Sequence, residues 1–311
     1  MTELRFSDLG ELLAPFALRP RAARRLSQGT VNSIYRIDTD GGPICLRIHE
    51  NSSEVDVRYE TALLWHLGTQ RFPTPQPLRN QTGSPFTRYD GKYVTLFPWV
   101  RGIALDENKI AVDQAAQAGE ALARFHQATA NFAARRDGIY TLPHLEKRLE
   151  RIRNEPRLAD FIPLLEEECA HLHRTPCDLP KTTIHGDLFP DNTLWRGDRL
   201  CAVLDLEQAS FGQRPYDLAV TLLAWCWTDT DLSKPHVEAF CASYQDLVPF
   251  SQHERAAFPT ELRTAALRFT ITRITDVFLP GADRPGKDFR DYFARLLRLR
   301  ELGDGVIDYL V

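Results

Sequence analysis

Residues Thr183-Ile184-His185-Gly186-Asp187-Leu188-Phe189-Pro190-Asp191-Asn192-Thr193-Leu194-Trp195 are followed by Gly197-Asp198 and then by Leu200-Cys201-Ala202-Val203-Leu204-Asp205. Two short apolar runs flank the Gly197-Asp198 turn, and pairing about it sets Asn192 opposite Val203. Asp205 then runs two residues further, back beside the loop that holds Asp187. Asp187, Asn192 and Asp205 are thereby expected to converge. Phosphoryl transfer uses such a set: one carboxylate orients and helps to deprotonate an attacking hydroxyl, while an amide oxygen and a second carboxylate hold magnesium on the nucleotide phosphates. Hard magnesium prefers these oxygens to nearby sulfur or imidazole. The stretch also fits an Asx-rich surface hairpin without chemistry. The joint spacing of the three groups, rather than any single aspartate, favours the catalytic reading.

The rest of the chain divides into two kinds of patterning. From Arg25 to Glu50 it reads as a β meander: a strand, a turn at Gly29, a strand over Ser33 to Thr39, the turn Asp40-Gly41-Gly42 and a strand over Pro43 to Glu50. In that last strand Ile44, Leu46 and Ile48 alternate with Cys45, Arg47 and His49, so the aliphatic set buries one face and Arg47 points to the other. A helix is expected from Glu54 to Gly68, an extended connection at Pro73, Pro75 and Pro77, and a strand over Lys92 to Phe97, with the β-rich part stopping at Pro98 to Gly102. Helical spacing takes over at Asp113 to Thr129, Leu145 to Arg153 and Leu158 to His173. The expectation is an α+β protein: a β-rich lobe over 1–98 and a larger α-rich lobe over 99–311.

Composition narrows the partners. The 311 residues are 43% hydrophobic with a formal net charge of -4, enough for a sizeable core and without the basic excess that nucleic acid or an anionic membrane demands. A small-molecule substrate, no nucleic acid, no membrane and a cytoplasmic monomer or homodimer are the expectations. The six cysteines lie without a CxxC pair, as reduced thiols do. Cys169, His171, His173 and Cys177 form a local cluster, but i and i+2 point apart on a helix and the spacing matches no zinc finger, so a helix end running into a loop is expected there.

His185-Gly186-Asp187, with Asn192 five residues on and Asp205 thirteen further, resembles the catalytic loop and metal-binding segment of the aminoglycoside phosphotransferase and choline kinase superfamily. The resemblance covers most of the chain and implies a two-lobed, protein-kinase-like fold with ATP and Mg2+. It implies that Asp187 is the catalytic aspartate, Asn192 and Asp205 the magnesium ligands, and His185 a buried prop for the loop. Tyr216-Asp217-Leu218-Ala219 resembles a further family stretch in which Asp217 braces that loop. An ordinary first-turn carboxylate is the alternative for Asp217. Arg47 occupies the strand position where kinases carry a phosphate-binding lysine, with Glu60 as its ion-pair partner; a solvent-facing arginine on an edge strand is the other reading. The turn Ser27 to Asn32, with Gly29, Thr30 and Asn32, would cover the phosphates, and Phe97 and Trp99 are expected at the nucleotide.

Within the superfamily the chain looks most like homoserine kinases of the aminoglycoside-phosphotransferase type, through Gly29 to Tyr35, Asp187 to Asn192, Tyr216 to Ala219 and Ala265 to Phe269 with Arg273. It departs at Gly186, where alanine is expected, and at Leu206-Glu207-Gln208. From Thr228 to Val311 there are 13 acidic and 11 basic residues, a balance that suits a zwitterion or neutral alcohol better than a polycation. Homoserine or a similar amino alcohol is the expected acceptor, with Arg268 or Arg273 at its carboxylate and Glu207 or Asp276 at its ammonium. Glu207 as a solvated carboxylate, and Arg273 with Asp276 as a surface pair, are the plain alternatives. An aminoglycoside or other hydroxylated metabolite as acceptor, and a nucleotide-binding pseudokinase, are the competing functions.

Overall fold

The computed structural model describes residues 2–26, 31–106, 109–175, 179–228, 230–282 and 286–310. A short helix α1, Leu9–Leu13, precedes an antiparallel sheet of β1 Pro20–Arg25, β2 Ser33–Thr39, β3 Gly42–His49, β4 Thr87–Tyr89 and β5 Lys92–Pro98, in the order β1-β2-β3-β5-β4. Alternation in β3 works as read. Ile44, Leu46 and Ile48 join Tyr35, Ile37, Val94 and Leu96 in a core closed by Leu9, Leu12 and Leu13 of α1. The opposite face of β3 carries Cys45, Arg47 and His49, and Arg47 reaches Glu60 of helix α2, Glu54–Thr69. That helix starts at a capping box: Ser53 accepts from the Asp56 amide at 3.3 Å while Asp56 accepts from the Ser53 amide at 3.1 Å. Fixing the helix start puts Glu60 in its second turn, aimed at Arg47.

The second lobe is mainly helical, with α3 Val112–Thr129, α4 Leu142–Ile152, α5 Ile162–Arg174, α6 Arg214–Trp225, α7 Lys234–Gln245, α8 Gln252–Arg273 and α9 Phe289–Leu302. Short strands β6 Lys181–Ile184, β7 Thr193–Arg196, β8 Arg199–Val203, β9 Ser210–Gln213, β10 Trp227–Thr228 and β11 Asp231–Leu232 pair as β6 with β9, β7 with β8 and β10 with β11. The α+β, two-lobed reading therefore holds. Several bounds differ from expectation for local reasons. Helices α4, α5 and α6 each carry a proline in the first turn, Pro143, Pro163 and Pro215, where its missing N–H is no loss. Leu158 belongs to a separate 3-10 turn, Pro156–Leu158. Strand β1 is exposed along most of its length, so it shows no apolar alternation by which its start at Pro20 could be read.

The β7–β8 hairpin is one residue out of the expected register. Thr193, not Asn192, faces Val203, because the pairing slips between Leu194 and Trp195. The carbonyl of Asn192 instead accepts the Leu204 amide at 2.8 Å, which still brings Asn192 beside Asp205.

Helix α3 lies so close to α7 that a Cβ on Gly119 would stand 2.2 Å from the Phe240 carbonyl oxygen. Gly119→Ala must force the two helices apart and should cost about 1–3 kcal/mol. Urea unfolding checks this: a lower midpoint at an unchanged slope is expected, and an unaltered midpoint would contradict the close approach.

Candidate active site

The loop between β6 and β7 is held from beneath. Asp217, in the first turn of α6, is fully buried and accepts the amides of His185 and Gly186, each at 2.7 Å. It also accepts Nε2 of His126 at 2.9 Å, and Nδ1 of that ring then takes the Tyr244 hydroxyl at 2.8 Å. Burial pushes the Asp217 carboxyl up, but His126 and the loop amides outweigh it and hold the group below the usual carboxylate range. Trp225, at the other end of α6, donates to the Leu188 carbonyl at 2.9 Å. Gly186 bends the chain with φ +74°, a value that strains alanine, so in this structure the departure noted at this position has a steric basis. His185 is buried, with Nδ1 accepting the Asp187 amide at 3.3 Å and its ring 5.7 Å from that of Phe125.

Asp187 emerges above this base. Its backbone carbonyl accepts Asn192 Nδ2 at 2.8 Å, and its Oδ1 lies 3.2 Å from Arg268 Nη1. Burial raises the affinity of Asp187 for a proton, with Arg268 opposing and Asp205 adding to the rise. The Asn192 amide, turned by that bond, keeps Oδ1 for another partner. Asp205 has φ +58°, and its side chain is 41% exposed, 3.8 Å from Arg47 Nη1. Among the described residues no three His, Cys, Asp or Glu side chains are grouped to hold a metal ion. One amide oxygen and one carboxylate do fit Mg2+, which keeps waters and takes its remaining ligands from phosphates.

Arg47 lies on β3, between β2 and β5, and so is not on an edge strand. Its Nη1 donates to Glu60 at 2.6 Å and its guanidinium stands over the Phe97 ring at 5.4 Å. Burial would lower its proton affinity, but Glu60, Asp205 and Glu207 more than compensate and keep it charged. Neighbouring His49 is pushed down to about 3 by burial and by Arg47, so it stays neutral beside Thr95.

Other expected contacts are placed differently. Gly29 and Thr30 lie outside the described residues, as does Cys177 of the Cys/His cluster. Asn32 is buried, with its side chain accepting the Glu50 amide at 3.2 Å and donating to Glu207 of the other lobe. Phe97 is buried beneath Arg47, and Trp99 is half-buried with Arg36 against its ring at 5.0 Å. Glu207 is taken up by Asn32 and, at 3.4 Å, by Gln208; burial and Asp205 push its carboxyl up to about 7. Arg273 donates to the Asp288 carbonyl at 2.9 Å and pairs with Asp291 at 3.6 Å, while Asp276 pairs with Arg148 at 2.6 Å. Their expected shared face is lost because regular α-helix ends at Arg273 and Asp276 falls in the π-helical turn Ile274–Phe278. His126, Tyr244, Arg136 and Tyr140 were not legible as site residues. His126 left one trace, a polar ring beside Phe125 on a mostly apolar helix face.

A sequence model of the Phosphotransferase enzyme family matches residues 22–255, which takes in nearly all of the sheet, the loop and the braces beneath it. The chain belongs to this family. It is an ATP-dependent small-molecule kinase. A homoserine kinase of Methylocella silvestris is 33% identical, covering 97% of this chain and 96% of that protein; one from Nitrobacter winogradskyi is 32% identical, covering 98% and 93%. Among solved structures, an aminoglycoside phosphotransferase of Alicyclobacillus acidocaldarius superposes with a TM-score of 0.69 at 14% identity, covering 99% of this chain and 96% of that one. A microcompartment-associated aminopropanol kinase gives 0.68 at 15% identity, covering 97% and 99%. At such identities the likeness establishes the kinase-like fold alone.

For this phosphotransferase the Asp217 brace has a measurable worth. Asp217→Asn turns an amide toward three donors and should cost about 2–5 kcal/mol of stability. Because the wild-type carboxyl is held below its unfolded value, that stabilisation is complete above about pH 4 and is lost as pH falls through the lower folded value. Acid titration of unfolding in both proteins checks the sign: the gap between them should close below about pH 4, and a gap that widens there would contradict it.

Proposed function

We propose that the chain transfers the γ-phosphate of ATP to the hydroxyl of homoserine or a closely similar amino alcohol. What carries the choice of acceptor is the end-to-end match to homoserine kinases, which spans both lobes and 97% of the chain. The near balance of acidic and basic residues after Thr228 supports it. In this reading Asp187 orients the hydroxyl, Asn192 Oδ1 and Asp205 hold Mg2+ against the phosphates, and Arg47, steadied by Glu60, supplies positive charge to the nucleotide. The division near residue 98, into a nucleotide-binding lobe and an acceptor lobe, is part of the same proposal.

Arg273, Asp276 and Glu207 are each held by partners within the protein. A cavity of about 410 Å³ reaches the loop at Gly186 and Gln208, and its wall includes Tyr140, Lys181, Tyr216 and Glu261. One cation and one carboxylate are what a zwitterion requires. We place the acceptor there.

ADP release across homoserine, choline, simple amino alcohols and aminoglycosides tests the acceptor. Homoserine should give the highest kcat/KM, and the acceptor assignment fails if it is neither phosphorylated nor a competitor of another substrate. In the same assay Asp187→Asn should lose about 10²–10⁴ in kcat while ATP still binds by calorimetry. Near-normal turnover would remove Asp187 from its role. Arg47→Ala should raise KM for ATP about tenfold or more, with Arg47→Lys recovering part of the loss. Unchanged ATP kinetics in the alanine variant would leave Arg47 a purely structural partner of Glu60.

A further inference from the structure

Arg268 is the cation nearest in role to an acceptor anchor, yet its surroundings argue for a different task. It comes from α8, 81 residues along the chain from Asp187, and only 3% of the residue is exposed. Nη1 lies 3.2 Å from Asp187 Oδ1 and 3.3 Å from the Gly186 carbonyl, so one nitrogen ties down the carboxylate and the peptide that precedes it. The guanidinium lies 3.7 Å from the centre of the Phe269 ring and 4.4 Å from that of Tyr140, two ring contacts that restrict its movement. A side chain so enclosed has no free path to swing toward a diffusing substrate. Asp187 is different: its side chain is 29% exposed, and its Oδ2 makes no hydrogen bond among the described residues.

We propose that Arg268 is a positioning residue for phosphoryl transfer, holding Asp187 Oδ1 and the Gly186 carbonyl so that Oδ2 alone meets the acceptor hydroxyl, and that it does not touch the acceptor. This rests on Asp187 being the group that orients the hydroxyl, but not on which acceptor is used. The in-line geometry demanded of the hydroxyl is set by χ1 and χ2 of Asp187, and a carboxylate free to rotate would present either oxygen in many directions. A planar arginine in contact with two rings restrains both torsions where a flexible lysine would restrain them less well.

The test compares wild type with Arg268→Gln and Arg268→Lys on homoserine and on 3-aminopropan-1-ol, which is homoserine without its carboxylate. Turnover is referred to the concentration of ATP-binding sites measured by calorimetry, so that misfolded protein does not count. Arg268→Gln should lower kcat by about 10²-fold on both acceptors alike, with each KM moved less than about threefold, and Arg268→Lys should recover about tenfold. A rise in KM for homoserine alone would make Arg268 the carboxylate anchor and overturn the proposal. So would an unchanged kcat in the glutamine variant, which would leave only a packing role. If wild type phosphorylates neither compound, the acceptor assignment falls, and acceptor-free ATP hydrolysis decides this point: water replaces the hydroxyl at Oδ2, a comparable drop in Arg268→Gln supports positioning and an unaltered rate refutes it.

Discussion

A carboxylate removed from water is costly unless donors replace the lost solvent, and Asp217 meets that demand with His185, Gly186 and His126. The exchange ties four parts of the second lobe together: α6 that carries Asp217, the loop after β6, α3 through His126 and α7 through Tyr244. Everything above depends on it. The positive φ of Gly186 aims the chain, the Asp187 carbonyl then receives the Asn192 amide, and the β7–β8 hairpin returns Asp205 to the same place. Removing the carboxylate would leave two backbone amides and an imidazole unmatched in the interior, a larger penalty than losing any one surface ion pair.

The junction between the lobes is electrostatic in a different way. Arg47 stands among the carboxylates of Glu60, Asp205 and Glu207, and Arg136 donates to the carbonyls of Glu207 and Ala209 while lying 3.4 Å from Asp56 of α2. Asn32 closes the junction by donating to Glu207. An arginine in place of the usual lysine is compatible with this setting, since its Nη1 donates to Glu60 and also lies 3.8 Å from Asp205. The substitution therefore does not by itself argue for a pseudokinase, and the family membership weighs the other way.

How far the sequence could be read depended on whether a contact was local. Strand alternation set Arg47 on the face opposite Ile44, Leu46 and Ile48, while its pairing with Glu60 of the helix expected from Glu54 came from the resemblance to kinases. The loop from His185 to Asn192 was legible because its polar residues are fixed in number between two apolar runs. Its support was not. Nothing local to Phe125-His126 says that the imidazole meets Asp217, 91 residues away, or that Tyr244 lies behind it. Arg268 could be put on a helix, but a helix face does not name the group it meets, and nothing local to Ala265–Phe269 points to Asp187, 81 residues away. Arg273 and Asp276 parted because a π-helical turn changes the angle between successive residues, which no i, i+3 rule anticipates. The one-residue slip in β7–β8 has the same origin, an irregularity that spacing alone cannot show.

A buried carboxylate, together with the loop's own bonds, fixes the geometry of the site. Amide hydrogen exchange at His185 and Gly186 tests it most directly, since both N–H groups are predicted to be bonded to Asp217 in the protein interior. Protection comparable to that of the core amides of α3 and α6 is the expected result, rising to the free energy of global unfolding. Exchange of the two amides on the timescale of an open surface loop would contradict the account.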